Sequence, residues 1–160
     1  MARRLRPVEL DFVESAPLRL VFAREVSAAP DAVYRALAED VVGWPTWFSA
    51  VTLARPMDGG ARREIRLKGG TRFLETIVAA EASGVYAYRV DEANVPGVRA
   101  LLEEWRIEGV SGGGARVQWT FAVDAPAGVR VGMKLAKAGL GRAFRDAVGA
   151  LDRKLSAASV

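Results

Sequence analysis

Apolar and polar residues alternate over Leu18–Val26, with Leu18, Leu20 and Phe22 set against Arg19, Val21 and Ala23. That period of two is the mark of a half-buried strand. Ser27-Ala-Ala-Pro-Asp31 then opens a helix, because Pro30 suits a first turn and Asp31 suits the positive end of the helix dipole. Val33, Tyr34, Leu37 and Val41 follow at helical spacing, Gly43 breaks the run, and Trp44–Ser49 reads as a second short helix. From residue 51 the period returns to two. Runs at 51–57, 62–68, 72–82, 85–90, 98–110 and 116–123 are separated by Asp58-Gly59-Gly60, Gly69-Gly70, Ser83-Gly84, a loop at 91–97, and Ser111-Gly-Gly-Gly114. Such turns between alternating runs signal hairpins, so these six strands form an antiparallel meander. The stretch 128–157 is helical: Leu140, Phe144, Val148, Leu151 and Leu155 share one face. Gly139 and Gly141 predict a kink or a close approach there.

The order is one strand, two short helices, six strands and a long helix. An open meander cannot leave its apolar face in water, so the helix covers it and the sheet curls around the helix. Residues 1–16 read as a loose, charged lead-in, and 17–160 as a single domain. No repeat or linker interrupts it.

Composition narrows the chemistry. The 160 residues contain no Cys and no His, which excludes disulfides, zinc or haem held by those side chains, and Cys- or His-based nucleophiles. No acidic calcium-loop pattern occurs, so no metal ligand and no cofactor is expected. The net charge of +4 comes from 23 basic against 19 acidic residues, with only Arg3, Arg4 and Arg6 clustered. That scatter gives no nucleic-acid surface. No run approaches the ~18 apolar residues of a membrane span, and no apolar leader precedes the first strand, so the protein reads as cytoplasmic. Gly139-Leu-Gly141-Arg-Ala-Phe144 imitates a dinucleotide fingerprint but lacks its third glycine and its preceding strand.

The order of elements, with Ser27-Ala-Ala-Pro-Asp-Ala-Val-Tyr34 leading to Gly43-Trp-Pro-Thr-Trp-Phe48, resembles the START/Bet v 1-like (SRPBCC) superfamily. Within it, the chain is most similar to the bacterial polyketide cyclase/dehydrase and lipid-transport group, over residues 18–157. The resemblance implies an α+β helix-grip fold: a curved, seven-stranded antiparallel sheet around a long C-terminal helix, two short helices between strands one and two, and a deep cavity. It also implies hydrophobic guests such as lipids, sterols or polyketides.

Strand alternation nominates the cavity wall. Leu101, Glu103, Trp105 and Ile107 share a face of the sixth strand, and Val117, Trp119, Phe121 and Val123 a face of the seventh. Their opposite faces carry Glu104, Arg106, Glu108, Gln118 and Thr120, so the first sets point inward. Ile65 and Leu67 follow on the third strand; Leu74, Thr76 and Val78 are placed inward on the fourth, Tyr86 and Tyr88 on the fifth. Phe48, Met133, Leu140 and Phe144 join from the helices. The ligand-binding set is therefore Phe48, Leu67, Leu74, Thr76, Tyr86, Tyr88, Glu103, Trp105, Trp119, Met133 and Phe144. Trp105 and Trp119 also fit a plain core role, and Trp44 and Trp47 read as anchors of the short helix.

Glu103 places a carboxyl in an apolar chamber, where burial raises its pKa unless a cation pairs with it. Arg72 and Arg89 are the candidate cations. Binding or carriage of a lipid or polyketide-like molecule is the first functional reading, with no catalytic residue assigned. A cyclase/aromatase using Arg72, Arg89, Thr76, Tyr86 and Tyr88 is the alternative, although Thr71–Ala80 lacks the late-strand Arg that the resemblance leads one to expect. A third reading is a transient membrane contact through the Arg-rich N-terminus and the short helices. The chain is expected to be a monomer or, through an exposed edge strand, a homodimer.

Overall fold

The computed structural model describes residues 1–159; Val160, the last residue of the expected domain, lies outside it. Strands β1 (Arg3–Arg4), β2 (Leu18–Val26), β3 (Val51–Met57), β4 (Arg62–Leu67), β5 (Arg72–Glu81), β6 (Val85–Ala93), β7 (Ala100–Gly109) and β8 (Ala115–Asp124) form one sheet. Seven run in the order β2-β8-β7-β6-β5-β4-β3, every neighbour antiparallel, and β1 adds to β6. Helices α1 (Phe12–Ser15), α2 (Pro30–Tyr34), α3 (Ala127–Leu135) and α4 (Lys137–Ala158) complete the chain. This is the helix-grip fold. The hairpin turns fall where the glycines announced them. Gly84 has φ +121, and a Cβ there would sit 2.2 Å from the Ile107 carbonyl oxygen, so only glycine fits.

The concave face holds the main core, built from the sheet, α4 and the 41–48 segment. Helix α2 continues as a π turn over Arg35–Glu39 and then a 3-10 stretch over Val41–Thr46. Trp44, Trp47 and Phe48 thereby enter an aromatic cluster with Trp105 and Trp119. Asp152 ties α4 to the α2 entry by accepting hydrogen bonds from the Ser27 amide and hydroxyl and the Ala28 amide.

Three features correct the reading from sequence. The lead-in is not loose. β1 pairs with Ala93 and Glu92 where β6 diverges from β7, and Leu5 is buried in the main core. Val8, Phe12 and Val13 cover Ala100, Leu102 and Ala122 on the convex face. An outer sheet face that is itself apolar at Ala100 and Leu102 needs such a cover. Second, the C-terminal helix is two helices, broken at Ala136 rather than at 139–141. Gly141 instead serves close approach: a Cβ there would lie 3.3 Å from the Phe22 ring. Third, β5 presents its other face to the core. Arg63 pairs with Glu75 and Ile65 with Phe73 across β4 and β5, so the inward face of β4 forces Phe73 and Glu75 inward. Leu74, Thr76 and Val78 are on the convex side. Thr76 donates to Asp91 there, and Val78 packs on the outer cluster.

Candidate functional site

Between the sheet and α3–α4 lies a cavity of about 320 Å³. That is at the lower end of the ~300–1,000 Å³ typical of small-molecule sites. Phe48, Val51, Ile65, Leu67, Phe73 and Trp119 make much of its wall, and Val98, Val129, Met133 and Leu140 form its partly exposed side.

The wall carries three ionisable groups, Arg63, Glu75 and Glu103, all buried. Arg63 projects from β4. Its Nε donates to Glu75, and its Nη1 lies 3.4 Å from the Tyr86 hydroxyl. Its guanidinium carbon is 3.8 Å from the centre of the Tyr88 ring and 4.4 Å from that of Trp44. Cation–π attraction from these two rings therefore supports the ion pair. Burial alone would weaken the charge of Arg63, but Glu75 and the two tyrosines outweigh it and raise its pKa.

Glu103 projects from β7 beside this pair. Its Oε1 accepts hydrogen bonds from the Tyr88 hydroxyl (3.2 Å) and from Trp119 Nε1 (3.0 Å). Trp105 Nε1 in turn donates to the Tyr88 hydroxyl at 3.0 Å. Burial, and then the charge of Glu75, push the Glu103 carboxyl up to about 8. One cation shares the enclosure with two carboxylates. Glu75 is the counter-ion of Arg63, and Glu103 is held neutral near pH 7. A neutral carboxyl has one proton to give. Oε1 is already occupied by two donors, so the proton belongs on Oε2, which has no hydrogen-bond partner among the described residues. The site can therefore donate one hydrogen bond into a chamber whose wall is mostly apolar.

Of the sequence-nominated residues, Phe48, Leu67, Tyr88, Glu103, Trp119 and Met133 border the cavity. Tyr86, Trp105 and Phe144 point inward but are buried behind its wall. Phe144 stacks on Phe22 and Trp119, Trp105 stacks on Trp119, and Tyr86 meets Arg63. Leu74 and Thr76 face outward, as described above. The two candidate cations for Glu103 are on the convex face as well: Arg72 pairs with Glu64, and Arg89 with Asp91 and Glu9. Arg63 and Glu75 were missed. The signal for Arg63 was present, since it has the same parity as Ile65 and Leu67; a charged residue on an inward face is simply unexpected. Trp44 both borders the cavity and anchors its segment, donating Nε1 to the Leu37 carbonyl at 3.0 Å.

The family model described as polyketide cyclase/dehydrase and lipid transport matches residues 17–156. The chain belongs to this family. Among curated proteins, it is 28% identical over 120 residues to an uncharacterized protein of Mycobacterium tuberculosis, covering 72% of this chain and 71% of that one. Among solved structures it is similar to XoxI from Bacillus cereus, with a TM-score of 0.71, 17% identity, and 89% and 98% of the two chains covered. It is likewise similar to the Zhui aromatase/cyclase of a Streptomyces species, with a TM-score of 0.69, 18% identity, and 87% and 93% covered. A START superfamily protein from Mycobacterium smegmatis superimposes with a TM-score of 0.60 at 12% identity over 80% and 96% of the chains. At these identities the likeness to solved structures is one of fold.

Proposed function

We propose that this cavity binds a small, largely apolar molecule bearing one hydrogen-bond acceptor, such as a ketone or hydroxyl oxygen, and that Glu103 Oε2 donates to it. The observation that carries the reading is the buried Glu103 carboxyl on the wall of a mostly apolar hollow, fixed through Oε1 by Tyr88 and Trp119 and with no partner for Oε2 among the described residues. Met133 and Leu67 are assigned to the apolar contacts, Phe48 and Trp119 to the flat aromatic wall. Membership of a family described by polyketide and lipid guests supports the same class. The test uses prodan, a naphthalene ketone whose emission shifts blue in apolar surroundings. One prodan is expected to bind per chain. Ala143→Trp, which fills the hollow, abolishes binding; Glu103→Leu weakens it about tenfold, the worth of one buried hydrogen bond. Binding that survives Ala143→Trp would overturn the reading.

A second reading is an enzyme of the aromatase/cyclase type in the same cavity. It is favoured by one observation: a buried carboxyl, Glu103, whose pKa burial pushes up, stands beside Arg63 and two tyrosines, a set that can protonate and polarise carbonyl oxygens. It requires turnover of a poly-β-ketone substrate that is lost in Glu103→Leu.

A further inference from the structure

Helix α3 has no buried residue, yet it is strongly patterned. Val129 and Met133 line the cavity. A turn of about 100° per residue puts Val131 and Leu135 on roughly the opposite side. There Val131 is 55% and Leu135 81% exposed, among the largest apolar exposures of the chain. Arg130 and Lys134, one turn apart, run along one side of this outer stripe, and Lys137 opens α4 just past the break at Ala136. Between Asp124 and Asp146 the chain holds five basic residues, Arg130, Lys134, Lys137, Arg142 and Arg145, and no acidic one. That local charge exceeds the +4 of the whole chain. None of the five forms an ion pair among the described residues.

We infer that the outer face of α3, together with the start of α4, docks on the surface of an anionic lipid bilayer, with Val131 and Leu135 entering the headgroup boundary and the lysines contacting lipid phosphates. Apolar side chains rimmed by cations are what an interfacial helix needs. Charge selects this occupant over a second copy, because a two-fold contact through α3 would set the five cations of one chain against those of another. Docking here also brings the bilayer to the helix that closes the cavity, so a guest could pass without crossing bulk water.

The experiment is flotation of the full chain with vesicles of phosphatidylcholine alone, or of phosphatidylcholine and phosphatidylglycerol in equal parts, at low and at high salt. Binding is expected only to the anionic vesicles, and salt weakens it. Lys134→Gln with Lys137→Gln weakens it by about fivefold per residue. Val131→Ser with Leu135→Ser weakens it at least about tenfold. Prodan binding and thermal melting stay unchanged in both double variants, since none of the four residues lines the cavity. The inference fails if the wild-type chain ignores anionic vesicles at low salt, or if the serine variant floats as well as wild type. It also fails if Leu135→Ser converts a dimer to a monomer without any vesicle binding, which would assign the face to a second copy. Each of these outcomes leaves the prodan result, and hence the cavity reading, to stand or fall separately.

Discussion

Replacing Glu103 with glutamine tests the electrostatic account of the cavity through stability alone, without a ligand. In the folded chain the carboxyl titrates at about 8, against an ordinary value of 4.5. In the unfolded chain it ionises at the ordinary value. Between those two pH values the native state therefore holds one proton that the unfolded state has released. Stability falls as pH rises through that window, by ~1.4 kcal/mol per pH unit, and levels off above the folded value. The difference of about 3.5 units gives an upper bound of about 5 kcal/mol. Glutamine has nearly the same shape, can still accept from Tyr88 and Trp119 through its carbonyl, and does not titrate. The assay is urea denaturation of wild type and Glu103→Gln across the window. The variant is expected to gain on wild type steadily as pH rises, by ~1 kcal/mol or more per unit. A stability difference that stays flat from pH 5 to pH 8 would refute the claim that Glu103 is a neutral acid in this cavity.

Other outcomes follow from the same structure. Arg63→Ala leaves Glu75 buried without its counter-ion and is expected to cost about 3–5 kcal/mol by denaturant titration, whereas Arg63→Met combined with Glu75→Leu costs far less. Phe12→Ala, in a segment whose sequence reads as a loose tail, lowers stability by about 3 kcal/mol in the same assay because it uncovers the convex face. Gly84→Ala lowers the melting temperature, since its φ of +121 and the nearby Ile107 carbonyl leave no room for a Cβ. Asp152→Ala removes three hydrogen bonds between α4 and the α2 entry and is expected to cost about 1–3 kcal/mol.

The meander was legible because glycine-rich turns punctuate it and because polar residues mark the outer face over the middle of β7 and β8: Glu104, Arg106, Gln118 and Thr120 alternate with Trp105 and Trp119. β5 was not legible. Phe73, Glu75 and Ile77 alternate with Leu74, Thr76 and Val78, so both faces are equally apolar. Irregular pairing with β6 near residues 74–75 and 77–79 further blurs the period. Only the register with β4, where Arg63 meets Glu75, decides the face. That register is tertiary information, and so the ion pair at the heart of the site escaped a reading that expected cations on Arg72 and Arg89. The N-terminal segment escaped for a related reason. Its apolar residues, Leu5, Val8, Phe12 and Val13, are too sparse to declare an element, and the partners of the last three lie about 90 residues or more away in sequence, on the unexpectedly apolar outer face of β7 and β8.

The most direct measurement is a crystal structure of the chain grown with prodan. The account predicts one probe inside the hollow, its ring against Phe48 and Trp119 and its ketone oxygen ~2.6–3.0 Å from Glu103 Oε2. A hollow collapsed onto its own side chains, or a probe found only on the outer surface, would contradict it.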